Sequence, residues 1–219
     1  MKIIFFLLTI CVFHGRIYSQ WYSKEYKNGK QIERQPDVDF IRFPLVEYHI
    51  IDTGIVGIKL GDPIPGYLWE LPLWTVNHPD GKDTIRLKDY KTQKLLVLDF
   101  WARWCKPCVA SMDKWEKMVD SLTDQFSLIG VHMDYDYKAE PFIAKRDWKS
   151  ATIIGGGVWV LQRHFFTDRR IVGRSVWIRD GKLIAITNTK DYHSGLVRQV
   201  MEGKDVGIPI NSFGTYFEN

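Results

Sequence analysis

Two cysteines, Cys105 and Cys108, stand three positions apart, directly after the apolar run Leu95–Phe100. The length of that run suits a strand that is buried on both faces in the centre of an α/β sheet. Apolar residues then recur every three to four positions, which predicts a helix from Cys105 to about Thr123. The sequence therefore places the cysteine pair at the start of a helix that follows a buried strand.

A cysteine at a helix start is chemically special. The first turn has unpaired N–H groups and the positive end of the helix dipole, which stabilise a thiolate and lower the thiol pKa below its free value of about 8.5. Cys105 is the predicted nucleophile, and Cys108, on the same side of the helix, is close enough to form a disulfide with it. Pro107 is tolerated because a first-turn residue has no helical N–H bond to lose. The pair can thus reduce a substrate disulfide through a mixed disulfide, or run in reverse.

Three other roles for the cysteines remain open. A structural disulfide across so short a loop would restrict little chain entropy. A zinc half-site needs two further ligands, and no second cysteine pair or His-x3–5-His spacing is present. The two thiols could also be unrelated core residues. The strand before the pair and the helix after it favour redox chemistry.

Composition narrows the function class. The chain has 219 residues, of which 45% are hydrophobic and 14% aromatic, which predicts a globular protein with a substantial core. Lys and Arg number 30 against 26 Asp and Glu, and the charges are interspersed, so we expect no nucleic-acid partner. Three cysteines are too few for a disulfide-rich scaffold.

The N-terminus resembles a secretory signal. Lys2 precedes the apolar run 3–13, and the polar stretch 14–20 follows, so residues 1–20 are predicted to be a signal peptide cleaved near Ser19–Gln20. Membrane anchoring, either through a retained signal or through a lipid on Cys11, is the less favoured alternative. Cleavage would leave Cys105 and Cys108 as the only cysteines of the mature chain.

The remaining pattern predicts a 21–57 N-terminal arm that packs on the domain and a main domain over 58–219. The turn-rich stretch Gly61–Gly66 marks the boundary. In the domain we predict strands within 67–76 with a hairpin turn at 77–82, a helical turn at 85–90, a strand at 126–133, a helix at 140–148, a flexible connection at 155–157, a helix at 161–166, a hairpin of 176–178 with 183–187, and a helix at 196–201. This order implies a parallel core with an antiparallel edge.

The run Asp99-Phe100-Trp101-Ala102-Arg103-Trp104-Cys105-Lys106-Pro107-Cys108 resembles the active site of thioredoxin-like proteins. Together with the predicted export signal, the 61–65 entry and the N-terminal hairpin, it looks like the TlpA/ResA-type envelope thiol–disulfide oxidoreductases over residues 58–203. The resemblance implies an α/β thioredoxin-like fold, a central mixed β-sheet flanked by helices with an N-terminal hairpin extension. It also implies a periplasmic location, no cofactor or metal, and two kinds of partner: protein thiol or disulfide substrates and an envelope electron donor or acceptor.

The resemblance also assigns roles to single residues. Cys105 matches the attacking cysteine, Cys108 the resolving cysteine, and Asp99 the buried carboxylate that relays a proton for the resolving step. Trp104 is predicted to form an apolar docking rim beside the sulfur, with Lys106 and Pro107 also in the substrate-binding region.

Two positions depart from the family pattern. The family usually has a cis-Pro before the hairpin, facing the cysteines, whereas this chain has Gly173 there and no Pro from 171 to 175. Arg174 beside it is a candidate contact for an acidic substrate. Lys106 stands where Gly is commonest, and an exposed charge at a helix end is expected to move the potential by only about 6–20 mV towards oxidising.

A second function class is a binding module on the same scaffold, such as a copper chaperone with weak redox turnover, in which His132-Met133 at a strand end could bind the metal. A peroxidase is a third. The sequence leaves the redox direction, the client protein and the oligomeric state open.

Overall fold

The computed structural model describes residues 22–26, 38–51, 55–122 and 125–216, and these fall into two compact units divided between Ile55 and Val56. The predicted signal peptide lies outside the described residues. In the first unit, β1 (Tyr22–Tyr26) pairs antiparallel with β2 (Val46–Ile50). The predicted arm therefore contains a two-stranded sheet. Its packing on the domain stays a prediction.

The second unit contains a seven-stranded mixed sheet in the order β4-β3-β7-β6-β5-β8-β9. Its strands are β3 (Leu73–Val76), β4 (Thr84–Ile85), β5 (Leu95–Trp101), β6 (Phe126–His132), β7 (Thr152–Ile153), β8 (Ser175–Arg179) and β9 (Lys182–Thr187). Its helices are α1 (Gly66–Glu70), α2 (Lys106–Val119), α3 (Ala139–Arg146), α4 (Gly156–Phe165) and α5 (Ser194–Met201), with 3-10 turns at Leu87–Tyr90 and Asp136–Lys138. The predicted mixed sheet with flanking helices is confirmed.

Strand β5 lies inside this sheet, between β6 and β8. All seven of its residues are buried, as the continuous apolar run predicted. It pairs parallel with β6 and antiparallel with β8, so that Asp99 lies opposite Gly130 on one side and Ser175 on the other. Because a short link joins β5 to the cysteine pair, a fully buried strand with partners on both sides fixes the position of the candidate site.

One predicted strand segment was wrong in its first part, although β3 confirms a strand at Leu73–Val76, and one predicted connection was wrong. The segment from Tyr67 to Val76 does not form strands throughout: α1 comes first, with Leu68 fully buried and Trp69 Nε1 donating to the Ile64 carbonyl at 3.1 Å. Packing of these two side chains overrides the β propensity of the aromatic residues.

Gly155–Gly157 is not a flexible connection. Gly155 precedes the first turn of α4 with a φ of +78°. A Cβ on Gly157 would lie 2.6 Å from Leu73 Cδ2, so the glycines allow the start of α4 to pack closely on β3.

No described helix is long and apolar enough to cross a membrane.

Candidate active site

Cys105 caps the amino end of α2. Its backbone is extended, with φ −89° and ψ 91°, and its carbonyl accepts a hydrogen bond from the Val109 amide at 3.0 Å. Pro107 occupies the first turn of the helix. The cysteine motif thus opens a 14-residue helix, with Cys105 among the unpaired N–H groups of its first turn, as the sequence predicted.

The two cysteines are joined by a disulfide, and their Cα atoms are 5.3 Å apart. Cys105 is partly exposed, whereas only 1% of Cys108 is accessible. Disulfide exchange requires direct approach of one sulfur to another. A thiol or disulfide approaching from solvent can therefore reach the outer sulfur, that of Cys105, far more readily than the inner sulfur, that of Cys108.

Gly173 faces both sulfurs from the loop before β8. An ideal Cβ on Gly173 would lie 2.5 Å from Cys108 Sγ and 3.6 Å from Cys105 Sγ. Its φ of +85° is in the left-handed region that favours glycine. The sequence placed Gly173 opposite the cysteines, and the structure brings these three residues together. All peptide bonds of the described residues are trans.

Asp99 lies under α2 with no accessible surface. Its Oδ1 accepts hydrogen bonds from the Ser111 hydroxyl at 3.0 Å and from the Ser175 hydroxyl. Burial raises the pKa of Asp99 to about 7, although both hydroxyl bonds act in the opposite direction. A carboxyl group with that pKa can both take up and release a proton near neutral pH.

The two serines are themselves hydrogen-bonded from behind. Tyr192 OH lies 2.8 Å from Ser111 Oγ, and Trp115 Nε1 donates to Ser175 Oγ at 3.0 Å. Sequence analysis identified none of these four residues as functional. Spacing alone held a clue for the serines, because Ser111 lies three residues after Cys108 on the helix and Ser175 lies two after Gly173.

The predicted substrate-binding residues surround Cys105. Trp104 is 63% exposed, and Lys106 and Pro107 are also exposed. The Pro107 carbonyl accepts a bond from Thr189 Oγ1 at 3.2 Å. These side chains leave an apolar and cationic surface beside the outer sulfur.

Arg174 is anchored within the protein. Its Nη1 donates to Asn188 Oδ1, and its carbonyl accepts a bond from the Phe100 amide at 2.9 Å. Burial lowers the pKa of its guanidinium. Its predicted contact with an acidic substrate stays a prediction.

His132 and Met133 belong to the core. They are 1% and 4% exposed, and the His132 ring packs on Trp101 with centroids 4.4 Å apart. Burial lowers the pKa of His132 to about 3, so the ring is neutral. Within the described ranges no group of three or more His, Cys, Asp or Glu residues is arranged to hold a metal ion.

Two comparisons of the sequence with known proteins match part of the chain. Residues 68–162, less than half of the chain, match the model of the AhpC/TSA family. A 54-residue stretch, 25% of this chain, is 39% identical to the thioredoxin-like protein YneN of Bacillus subtilis. That stretch covers 31% of the relative, about a third of its length.

Solved structures resemble a larger part of the chain. A protein of Bacteroides thetaiotaomicron named a protein disulfide isomerase is 24% identical, with a TM-score of 0.50, over 68% of this chain and 92% of that one. The thioredoxin domain of a thiol-disulfide oxidoreductase from Bacteroides vulgatus is 18% identical, with a TM-score of 0.51, over 66% of this chain and 99% of that one. These structural neighbours show that the chain has the thioredoxin-like fold.

Proposed function

We propose that this chain is an exported thiol–disulfide oxidoreductase of the TlpA/ResA type that exchanges disulfides with protein substrates through Cys105 and Cys108. One observation carries the proposal: a partly exposed cysteine caps α2 and is disulfide-bonded to a buried cysteine of the same helix. The helix start stabilises the outer sulfur as a thiolate, and the burial of the inner sulfur supports Cys105 as the residue that attacks first.

In the reducing direction the Cys105 thiolate attacks one sulfur of a substrate disulfide. That S–S bond breaks, a mixed disulfide forms, and the first substrate thiolate leaves and takes a proton. Cys108 then loses its proton to Asp99 and attacks Cys105 Sγ. The mixed disulfide breaks, the second substrate thiolate is released, and the Cys105–Cys108 disulfide forms. Two electrons have passed to the substrate, and an envelope dithiol donor restores the reduced pair.

Trapping tests the order of attack. Cys108→Ser leaves the nucleophile without its resolving partner, so we expect stable mixed disulfides with client proteins. Cys105→Ser is the matched control and should trap none. Finding no trapped partner, together with two thiols that are inert to an alkylating reagent, would overturn the proposal.

The direction of electron flow follows from the equilibrium potential of the pair, measured against a glutathione buffer. A strongly reducing value identifies a reductase fed by a membrane donor, and a high value identifies an oxidant. Export is tested by the mass of the protein recovered from the periplasm. We expect cleavage near Ser19–Gln20, and a cytoplasmic, uncleaved chain would contradict the proposed location.

Two further assays separate the alternatives. Copper or zinc retained through dialysis, with no disulfide reductase activity, would assign a binding module instead. Consumption of hydroperoxide at a rate above that of disulfide exchange would assign a peroxidase.

A further inference from the structure

Two serines bond one oxygen of Asp99, and each serine is bonded in turn by a further side chain. Ser111 on α2 and Ser175 on β8 both donate to Oδ1, with Tyr192 behind Ser111 and Trp115 behind Ser175. We propose that Ser111 and Ser175, supported by Tyr192 and Trp115, are positioning residues that favour the ionised form of Asp99 and so set the pH range in which it accepts the proton of Cys108. This inference rests on the proposed function.

The donor directions in this network are fixed by chemistry. An indole nitrogen can only donate, so the Ser175 oxygen accepts from Trp115 and its own hydrogen points to Asp99. A carboxylate can only accept, so Ser111 also directs its hydrogen to Asp99 and accepts from Tyr192. Both chains of donors therefore end on the same carboxylate oxygen, which favours the charged form.

The other oxygen has a different environment. Asp99 Oδ2 is buried and accepts no hydrogen bond. A proton can attach to Oδ2 without breaking either serine bond. The network thus leaves one oxygen for proton uptake while it fixes the orientation of the carboxyl group.

The network lies next to the inner sulfur along both elements. Ser111 follows Cys108 by three residues on one face of α2, which separates their Cβ atoms by about 5–6 Å. Ser175 follows Gly173 by two residues, about 7 Å along an extended chain, and the ideal Cβ of Gly173 lies 2.5 Å from Cys108 Sγ. The two serines that bond Asp99 therefore lie on the two segments that carry or contact the inner sulfur.

Few other ionisable groups face Asp99. From the segment before α5 the group is the Tyr192 phenol, whose pKa burial raises. On α2 the Cys108 thiol of the reduced protein lies one helical turn before Ser111, which bonds Asp99. Strand β6 presents Gly130 opposite Asp99, and Lys114 is directed to the Thr189 and Tyr192 carbonyls. Among the described residues no Lys, Arg or His forms an ion pair with Asp99, so the hydroxyl donors are its main source of charge stabilisation.

The test measures Asp99 directly. In the full oxidised protein, carboxyl NMR shifts report the titration of Asp99 without any need for turnover. We expect Ser111→Ala and Ser175→Ala each to move that titration upward by about one pH unit, a tenfold change in proton affinity, because each removes a hydrogen bond to the charged form. Tyr192→Phe should cause a smaller shift in the same direction.

The pH profile for the rate of mixed-disulfide resolution should shift upward together with the Asp99 titration. Ser175→Thr keeps the hydroxyl and should restore the original profile. In an Asp99→Asn background, Ser111→Ala should cause no further shift. Ser121→Ala is the matched control, since Ser121 bonds the Met118 carbonyl at the far end of the same helix.

The outcomes separate the two hypotheses. Folded serine variants with an unchanged Asp99 titration, or with a shifted titration and an unchanged resolution profile, would overturn this inference. Should the serine variants fail to fold, Tyr192→Phe, which removes a single oxygen, decides by the same criteria. Absence of disulfide exchange in the unaltered protein at every pH would instead overturn the proposed function, and the NMR titration of Asp99 would still stand.

Discussion

Substituting Gly173 by Ala perturbs the candidate site at its closest contact. The added methyl group would lie 2.5 Å from Cys108 Sγ, a distance that requires the sulfur or the loop to move. The φ of +85° adds a second penalty, because an L-residue is disfavoured in the left-handed region. The first effect acts on the disulfide, and the second acts on the backbone of residue 173 itself.

The two penalties have separate magnitudes. The left-handed backbone costs roughly 1–2 kcal/mol, and overpacking typically costs about 1–3 kcal/mol. We expect Gly173→Ala to lower the free energy of unfolding of the oxidised protein by about 2–5 kcal/mol. Gly203→Ala is the matched control, since Gly203 has a φ of +75° and no atom within 4 Å of its ideal Cβ. It should show the backbone penalty alone.

Reduction changes only one of these penalties. In the dithiol form the Cys108 side chain can rotate, whereas the disulfide fixes its sulfur against the new methyl group. If rotation relieves about half of the overpacking, the oxidised form is destabilised by roughly 0.5–1.5 kcal/mol more than the reduced form. The potential of the pair then rises by about 10–30 mV.

The assays are denaturant unfolding of both redox forms and a glutathione titration of the pair. The reasoning is refuted if Gly173→Ala is no less stable than Gly203→Ala when oxidised. An unchanged or lowered potential in a folded Gly173→Ala protein would refute the redox part alone.

Three further predictions concern charge. Folding raises the pKa of Asp99 from its ordinary value near 3.8 to about 7, so the free energy of unfolding falls as pH rises between about 4 and 7. Asp99→Asn should remove this loss, which is on the order of 4 kcal/mol. In urea unfolding the variant should therefore gain stability at pH 8 but not at pH 4. Burial lowers the pKa of His132 from 6.5 to about 3, so this residue makes the free energy of unfolding fall as pH drops from about 6.5 to 3. His132→Asn should lessen that loss. An unchanged pH dependence of stability between pH 6.5 and 3 would contradict this prediction. Lys106→Ala should lower the potential by about 6–20 mV, with Lys117→Ala, near the other end of α2, as the control that leaves it unchanged.

The sequence predicted most of the sheet because its strands have strong local patterns. The apolar run of β5 and the hairpin of β8 and β9 needed no knowledge of their neighbours. The two-residue strand β7 was not predicted, since Thr152–Ile153 is too short to show any period and pairs only because β6 and β3 flank it. The helix at Gly66–Glu70 was also missed, because burial of Leu68 and Trp69 decides its conformation.

The candidate site was likewise predicted only where a local sequence pattern marks it. Cys105 and Cys108 are the two ends of one four-residue motif, so local sequence was sufficient to place them at the helix start. The environment of Asp99 depends on Ser175 and Tyr192, which lie 76 and 93 positions further along the chain, and no spacing rule joins them. The hydroxyl bond between Tyr192 and Ser111 depends on tertiary packing, which stacks the Tyr192 ring on Trp115 at 4.2 Å.

The chemistry of the pair depends on how differently the fold treats two identical side chains. Cys105 is partly exposed at the positive end of α2, which favours its thiolate once the disulfide is reduced. Cys108 is 1% exposed one turn further in, where burial raises the free energy of a thiolate. An attack by Cys108 therefore requires a nearby base, and the described carboxyl group that combines full burial with two hydroxyl donors is Asp99. In the proposed mechanism one sulfur is prepared for attack and the other depends on a proton acceptor, so the rate at which the mixed disulfide resolves follows the ionisation of Asp99.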